Sequence, residues 1–369
     1  MKERFSCPRI RNGLAISYSG RYNICCMFDY ENYSSSSDYQ GSGMGINDYS
    51  LDEFMSSDWR KSLLKHEDEG TWPEGCKTCL NDELNGILSL RQEMTGKTGK
   101  HLHVNVGNLC DSDCVMCGSQ WSTKTMARLK KHPDLDNGYH GMEFFPVRNI
   151  WTDAQAQDNL RKMISWTDHM HFNGGEPLLD KRIWDFLDSI DPTGKSVSFV
   201  SNLNTLPSDR GFEILKKFEN VWFNASIDGI KHTYEWIRQG LDWNTVIKNV
   251  LKIRSMGYKV NVQLGVQAHN LLDLAGYHRV FGSKADYYII DEPKILRVRN
   301  APRWALERCL SELPPDTNPK LIRIIEIALS EHDPTMLDRL MKHTRYLNGH
   351  RKHTFDLDAW IVKPILRGG

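Results

Sequence analysis

His101-Leu-His-Val-Asn-Val106-Gly-Asn-Leu-Cys110-Asp-Ser-Asp-Cys114-Val-Met-Cys117 is an alternating run that breaks into a loop carrying three thiols. Alternation over 101–106 predicts a half-buried strand, and the polar residues and glycine that follow end it. A helix is expected behind the loop, over Thr123–Lys131. The same strand-then-helix rhythm recurs downstream. Strands are expected at 169–172, 196–200, 221–227, 260–266 and 286–290, with helices near 182–190, 212–218 and 245–256. Repeated strand–helix units imply a parallel sheet covered by helices. Six units are too few to close an eight-stranded barrel, so the expected fold is α/β, a partial (β/α)6 TIM-like barrel. In such sheets chemistry gathers at the C-terminal strand ends.

Outward from this core, three regions are expected: 1–97, 98–300 and 301–369. The first holds a hairpin, 14–18 and 24–28 joined through Ser19-Gly20. A polar, small-residue run at 32–45 reads as a mobile loop, and Ser50 is a plausible N-cap for the helix after it. Residues 132–168 read as an insertion between the first helix and the second strand. The last region reads as helical, with Pro314 and Pro315 marking a break before 320–329.

The chain has 369 residues, 40% hydrophobic and 25% charged, an ordinary globular balance. Lys plus Arg, 47, equals Asp plus Glu, 47, so no bulk field favours nucleic acid or an anionic membrane. A basic run around Arg345, Arg351 and Lys352 reads as solvated surface. No apolar stretch is long enough to span a membrane, and the N-terminus lacks a secretory apolar core. A cytoplasmic, reducing setting is the expectation, and thiols there are read as metal ligands or reactive groups before disulfides.

The cysteines fall into two groups, with Cys309 apart. Cys110, Cys114 and Cys117 can cap three corners of a four-iron cube and leave one iron open. Structural zinc wants four ligands, for which only His101 and His103 lie near in sequence. Cys7, Cys25, Cys76 and Cys79 make a second set, with Cys76-Lys-Thr-Cys79 a metal knuckle that suits zinc or iron–sulfur. Cys26 is left over, and strand alternation would point it and Cys25 to opposite faces.

The Cys-x3-Cys-x2-Cys spacing after a first barrel strand resembles the cluster loop of the radical S-adenosylmethionine (radical SAM) superfamily. Met116 stands where that family often has an aromatic residue. Asn173-Gly-Gly-Glu-Pro177, at the end of the second strand, resembles the family's Gly-Gly-Glu-Pro segment. The resemblance assigns Gly174, Gly175 and Glu176 to the methionine amino group. Ser201 and Asn202, ending strand three, fall where the family contacts the ribose. Ser226-Ile-Asp-Gly229 with Arg238 downstream resembles the peptide-modifying branches, where serine and arginine reach the methionine carboxylate. A weaker assignment gives 263–267 to adenine. Cys7, Gly20, Cys25, Cys76 and Cys79 resemble the shortened auxiliary-cluster module called twitch (SPASM-like), here N-terminal to the barrel.

What the resemblance implies is an iron–sulfur oxidoreductase. Its cofactors would be S-adenosylmethionine, a [4Fe–4S] cluster on Cys110, Cys114 and Cys117, and an auxiliary [4Fe–4S] cluster, with zinc as the alternative there. The expected reaction is reductive cleavage to a 5′-deoxyadenosyl radical that takes hydrogen from a peptide, carbohydrate or small metabolite. A low-potential donor such as a flavodoxin or ferredoxin would supply electrons, and neither a membrane nor bulk nucleic acid is an expected partner. The rival readings are a zinc-stabilised, non-catalytic interaction protein and a radical SAM methyltransferase. His169 and His171 share one strand face and are candidate proton donors, or ordinary rim residues.

Overall fold

Strict alternation between histidine or polar residues and large apolar ones gives the central strands two unlike faces, and a computed structural model shows what each face meets. The structure describes residues 4–28, 42–132 and 149–361. Of the expected loop at 32–45, only 42–45 are therefore described. Residues 133–148 of the expected insertion and 362–369 of the C-terminal region likewise lie outside the described residues.

The strands in chain order are β1 (Gly13–Ile16), β2 (Tyr22–Asn23), β3 (His101–Asn105), β4 (Asp113–Cys114) and β5 (His169–Asn173). They continue with β6 (Ser196–Ser201), β7 (Asn220–Ser226), β8 (Arg238–Gln239), β9 (Lys259–Val266) and β10 (Asp286–Ile289). One eight-stranded sheet has the order β10-β9-β7-β6-β5-β3-β1-β2, and β4 pairs with β8 apart from it. Within the eight-stranded sheet every pairing is parallel except that of β2 with β1 at the edge, and the separate β4–β8 pair is antiparallel. The fold is thus α/β on a mostly parallel sheet, with the expected six strands adjacent in sequence order.

One sheet face is apolar and buried. Phe172, Phe199 and Phe223 stack across β5, β6 and β7 with centroids 5.6 Å apart in each step. Helices Lys181–Asp188, Asp209–Leu215 and Trp243–Ser255 bury their apolar sides in the same core. Burying each such ring contributes about 1.5–3 kcal/mol. The opposite face is polar, and the register sets His101 beside His169, then His103 beside His171 and Ser198 beside Trp222.

Three expectations change. The helix Ala154–Trp166 lies inside the supposed insertion, buries Leu160 and Met163, and leads straight into β5. It is a crossover helix of the repeat. The second hairpin strand is Tyr22–Asn23, earlier than 24–28, because the Asn23 carbonyl Oδ1 accepts from the Ile24 N–H at 2.8 Å and turns the chain. Cys25 and Cys26 consequently lie beyond the strand, at the turn that follows it, so strand alternation does not set their directions. Ser50 does cap Leu51–Ser56, in a reciprocal capping box with Glu53.

Candidate active site

Parallel strands deliver all their C-terminal ends to one side, and the cysteine loop is laced onto those ends by backbone. Val106 N–H donates to Asn173 O at 2.8 Å, Gly175 N–H to Gly107 O at 2.7 Å, and Glu176 N–H to Leu109 O at 2.7 Å. A Cβ on Gly175 would lie 2.2 Å from Leu109 O, and Gly174 sits at φ +132°. The paired glycines are therefore demanded by the approach of one loop to another, a tighter reason than ligand access alone.

Two aspartates that alternate with the thiols hold the loop from opposite sides. Asp111 accepts from the side-chain amides of Asn202 at 2.8 Å and Asn204 at 3.0 Å, both beyond β6. Asp113 accepts from Thr125 Oγ1 at 2.9 Å and Arg128 Nε at 2.6 Å. Arg351 donates to Asp113 O at 2.8 Å and Trp236 O at 2.5 Å, and its side chain has no exposed surface. The expectation that Arg351 belongs to a solvated basic run is overturned, since buried carbonyls recruit its guanidinium. Sequence reasoning passed over Asp111, Asp113, Arg128 and Arg351. The aspartates sat in plain view within the cysteine motif.

β4 pairs with β8 so that Cys114 faces Arg238. Arg238 donates through Nε at 2.7 Å and lies with Nη2 at 2.6 Å from Asp228 Oδ2, while Nη1 comes 3.9 Å from Cys114 Sγ. Asp228 Oδ1 accepts from Gly265 N–H at 2.7 Å. Two arms of the fork expected to reach a carboxylate are thus engaged within the protein, leaving Nη1 on the thiol side. Asp228 was a missed residue, although it stood inside the Ser-Ile-Asp-Gly motif.

Ser112 Oγ lies 3.2 Å from Cys110 Sγ and 3.4 Å from Cys114 Sγ. Hydrogen bonding from Cys117, with help from Arg238 and Ser112, lowers the Cys114 thiol to about 7. Burial raises Cys110 to about 11, and its bond to Cys114 holds Cys117 well above its ordinary value. Crowded thiols that resist joint ionisation are a donor set suited to a cation-rich centre.

One cavity of about 250 Å³ is lined by Cys110, Cys114, Cys117, Gly174, Gly175, Glu176, Ser201, Asn202, Ser226 and Arg238. Met116, Gln120, Trp121, Tyr288 and Glu292 complete much of its wall. Glu176 is buried and takes three donors: Ser201 Oγ at 2.8 Å, Asn202 N–H at 2.7 Å and Leu178 N–H at 3.1 Å. Burial outweighs these bonds and raises its carboxyl to about 7. Leu203, next to Asn202, is held at φ 53°, a strained angle for a non-glycine residue at a site wall. Gln120 offers the cavity a buried amide oxygen with no protein partner. An orphaned acceptor and three soft thiols fit a cluster with an amine- and hydroxyl-bearing ligand. Residues 263–267 of β9 and its end do not line the cavity apart from the contact of Gln263 Nε2 with Ser226 Oγ at 3.2 Å.

Cys7, Cys25, Cys76 and Cys79 line a second, small recess with Phe5, Phe28, Trp72 and Arg9. Burial first, then mutual charge, raises Cys7 to about 11 and Cys79 to about 12. Arg9 Nε is buried there without a partner. His169 and His171 are not at the cavity. They bond to Ser198 Oγ at 2.8 and 2.7 Å, and burial holds His169 down to about 3.

Residues 104–271 match the model of the Radical SAM superfamily. That stretch, just under half of the chain, is similar to a radical SAM domain, and the similarity marks the chain as an enzyme. It is similar to the solved structure of native anSMEcpe with bound AdoMet, at 13% identity and TM-score 0.37 over 52% of this chain and 51% of that one. It is also similar to Streptococcus suis SuiB bound to precursor peptide SuiA, at 14% identity and TM-score 0.37 over 76% and 54%. The chain thus spans about half the length of these structures. Comparison with curated proteins found no match.

Proposed function

We propose that this enzyme cleaves S-adenosylmethionine reductively and uses the resulting radical on a peptide, carbohydrate or small-metabolite substrate. The observation that carries the reading is the cavity in which three loop thiols face Gly174–Glu176 and the ends of β6, β7 and β8. When bound, the cluster and S-adenosylmethionine supply electron transfer, sulfonium cleavage and the 5′-deoxyadenosyl radical. Cys110, Cys114 and Cys117 would hold that cluster, and Met116 would shield it. Glu176, poised near neutrality by burial, would take the ionised form beside an ammonium. Ser201, Asn202 and Gln120 offer hydroxyl and amide groups to a ribose or amine. Ser226 and the free arm of Arg238 offer donors to a carboxylate. Asp111 and Asp113 fix the loop so that the thiols need not reorganise.

The second thiol recess supports an auxiliary cluster in an N-terminal, twitch-like region, 1–97, ahead of a core at 98–300 and an extension at 301–369. The buried Arg9 Nε, with no partner of its own, suits the negative charge of a four-thiolate centre at this recess, iron–sulfur on this reading with zinc as the alternative.

Anaerobic reconstitution with iron and sulfide should give about eight irons per chain and reductant-dependent 5′-deoxyadenosine. Cys114→Ala should abolish the nucleoside and leave about four irons. Formation of S-adenosylhomocysteine in place of 5′-deoxyadenosine, or nucleoside production unaffected by Cys114→Ala, would sink the proposal.

A further inference from the structure

We propose a separate divalent transition-metal site on the outer side of the helix Lys231–Ile237, formed by His232, Glu235 and His353. One ligand atom of each lies within 4.8 Å of the other two, and among the described residues no other trio of metal-ligating groups does so. His232 and Glu235 are three apart on the helix and so share a face. His353 arrives from the far C-terminal segment, with its Nε2 3.8 Å from Glu235 Oε2.

Two of the three ligands, His232 and Glu235, are aimed by a second contact. His232 Nε2 meets Thr354 O at 2.6 Å, so a proton there leaves Nδ1 its lone pair. Glu235 Oε1 accepts from Trp243 N–H at 3.1 Å, which leaves Oε2 for a cation. Outer partners of this kind are what orient imidazole and carboxylate ligands at metal centres. The convergence is enforced independently of any metal. Trp236 Nε1 donates to Asn348 Oδ1 at 2.8 Å, and the Trp236 and Phe355 rings lie 5.1 Å apart, pinning the segment to the helix.

Two imidazoles and one carboxylate suit zinc, nickel, cobalt or copper, with water filling the remaining positions. His232 is exposed and the other two ligands are partly buried, so the site opens on one side to solvent. A metal here would clamp the C-terminal segment whose Arg351 holds the cluster loop through Asp113 O. The site stabilises that docking and takes no part in the radical chemistry, so its failure leaves the proposed reaction standing.

The test is equilibrium dialysis of the anaerobically reconstituted protein against zinc, with zinc and iron both counted by mass spectrometry. Thiol-bound zinc is common to all samples and cancels in the comparison. Wild type should hold one zinc per chain more than His232→Ala or Glu235→Gln, with equal iron in all three. Zinc should also slow proteolysis after Lys352 in wild type and not in His232→Ala. Because His232 is exposed, its removal leaves the fold in place. Equal zinc in wild type and His232→Ala overturns the site.

Discussion

Arg238 and Asp228 show how much one residue pair settles. The guanidinium is buried, meets a carboxylate with no exposed surface, and turns its remaining arm to Cys114. Asp228→Asn leaves that buried charge uncompensated and should cost about 3–5 kcal/mol, read as a lowered urea midpoint with unchanged slope. A loss under about 1 kcal/mol, the scale of a solvated pair, would contradict the burial argument. Serine, arginine and the aspartate between them were all visible as a motif. Their pairing was not, because a residue's partner depends on where β8 is carried in space. Arg351 makes the same point in reverse: a basic neighbourhood in sequence predicts solvent, and only packing reveals two buried carbonyls waiting for it.

The cysteine loop and the strand ends form the decisive contact between elements. Gly175→Ala should displace the loop, since the new Cβ meets rigid backbone at Leu109 O and not a side chain that can swing away. We expect about 1–3 kcal/mol of destabilisation and, on the proposed reading, a selective loss after reconstitution of the iron held by Cys110, Cys114 and Cys117. Full iron content in that variant would show that the loop tolerates the shift. The strands of the parallel sheet were legible because short apolar or alternating runs rich in Val, Ile, Phe and Tyr recur between helical stretches. The crossover helix Ala154–Trp166 escaped because its first turns, Ala-Gln-Ala-Gln-Asp-Asn, are polar and its Asp153 cap went unread. The hairpin slipped because an asparagine side chain ends the ladder, a local bond that hydrophobic pattern does not encode.

At the scale of the whole molecule, the polar sheet face is a stability device with a pH signature. Burial holds His103 at about 4 and His169 at about 3, and drives His171 well down. The unfolded chain protonates these rings near pH 6.5, whereas the folded chain does so only far below. Stability is therefore full above about pH 6.5 and is lost as the pH falls toward about 4 and below, by up to about 1.4 kcal/mol per pH unit for each fully buried ring. The urea midpoint should drop between about pH 7.5 and about pH 5, and His171→Asn should flatten that slope. A wild-type midpoint level across this range would exclude the histidine face as its cause.

Sequence alone determined the repeating strand–helix order, the parallel sheet and the three thiols at a strand end, because each follows from local periodicity or ligand spacing. It also singled out Gly174, Gly175, Glu176, Ser201, Asn202, Ser226 and Arg238, which line the cavity, because short polar motifs at strand termini can be read without coordinates. Tyr288 near the end of β10 and Glu292 beyond it carried no such motif. Tertiary structure decided what braces them. Asp111, Asp113, Asp228 and Arg351 draw their partners from segments far apart in the chain, and such partners exist only once β4 meets β8 and the C-terminal segment closes over the loop. The physical reason is burial: it makes an unpaired charge or amide costly, and so selects partners by position in space, whatever their distance along the chain.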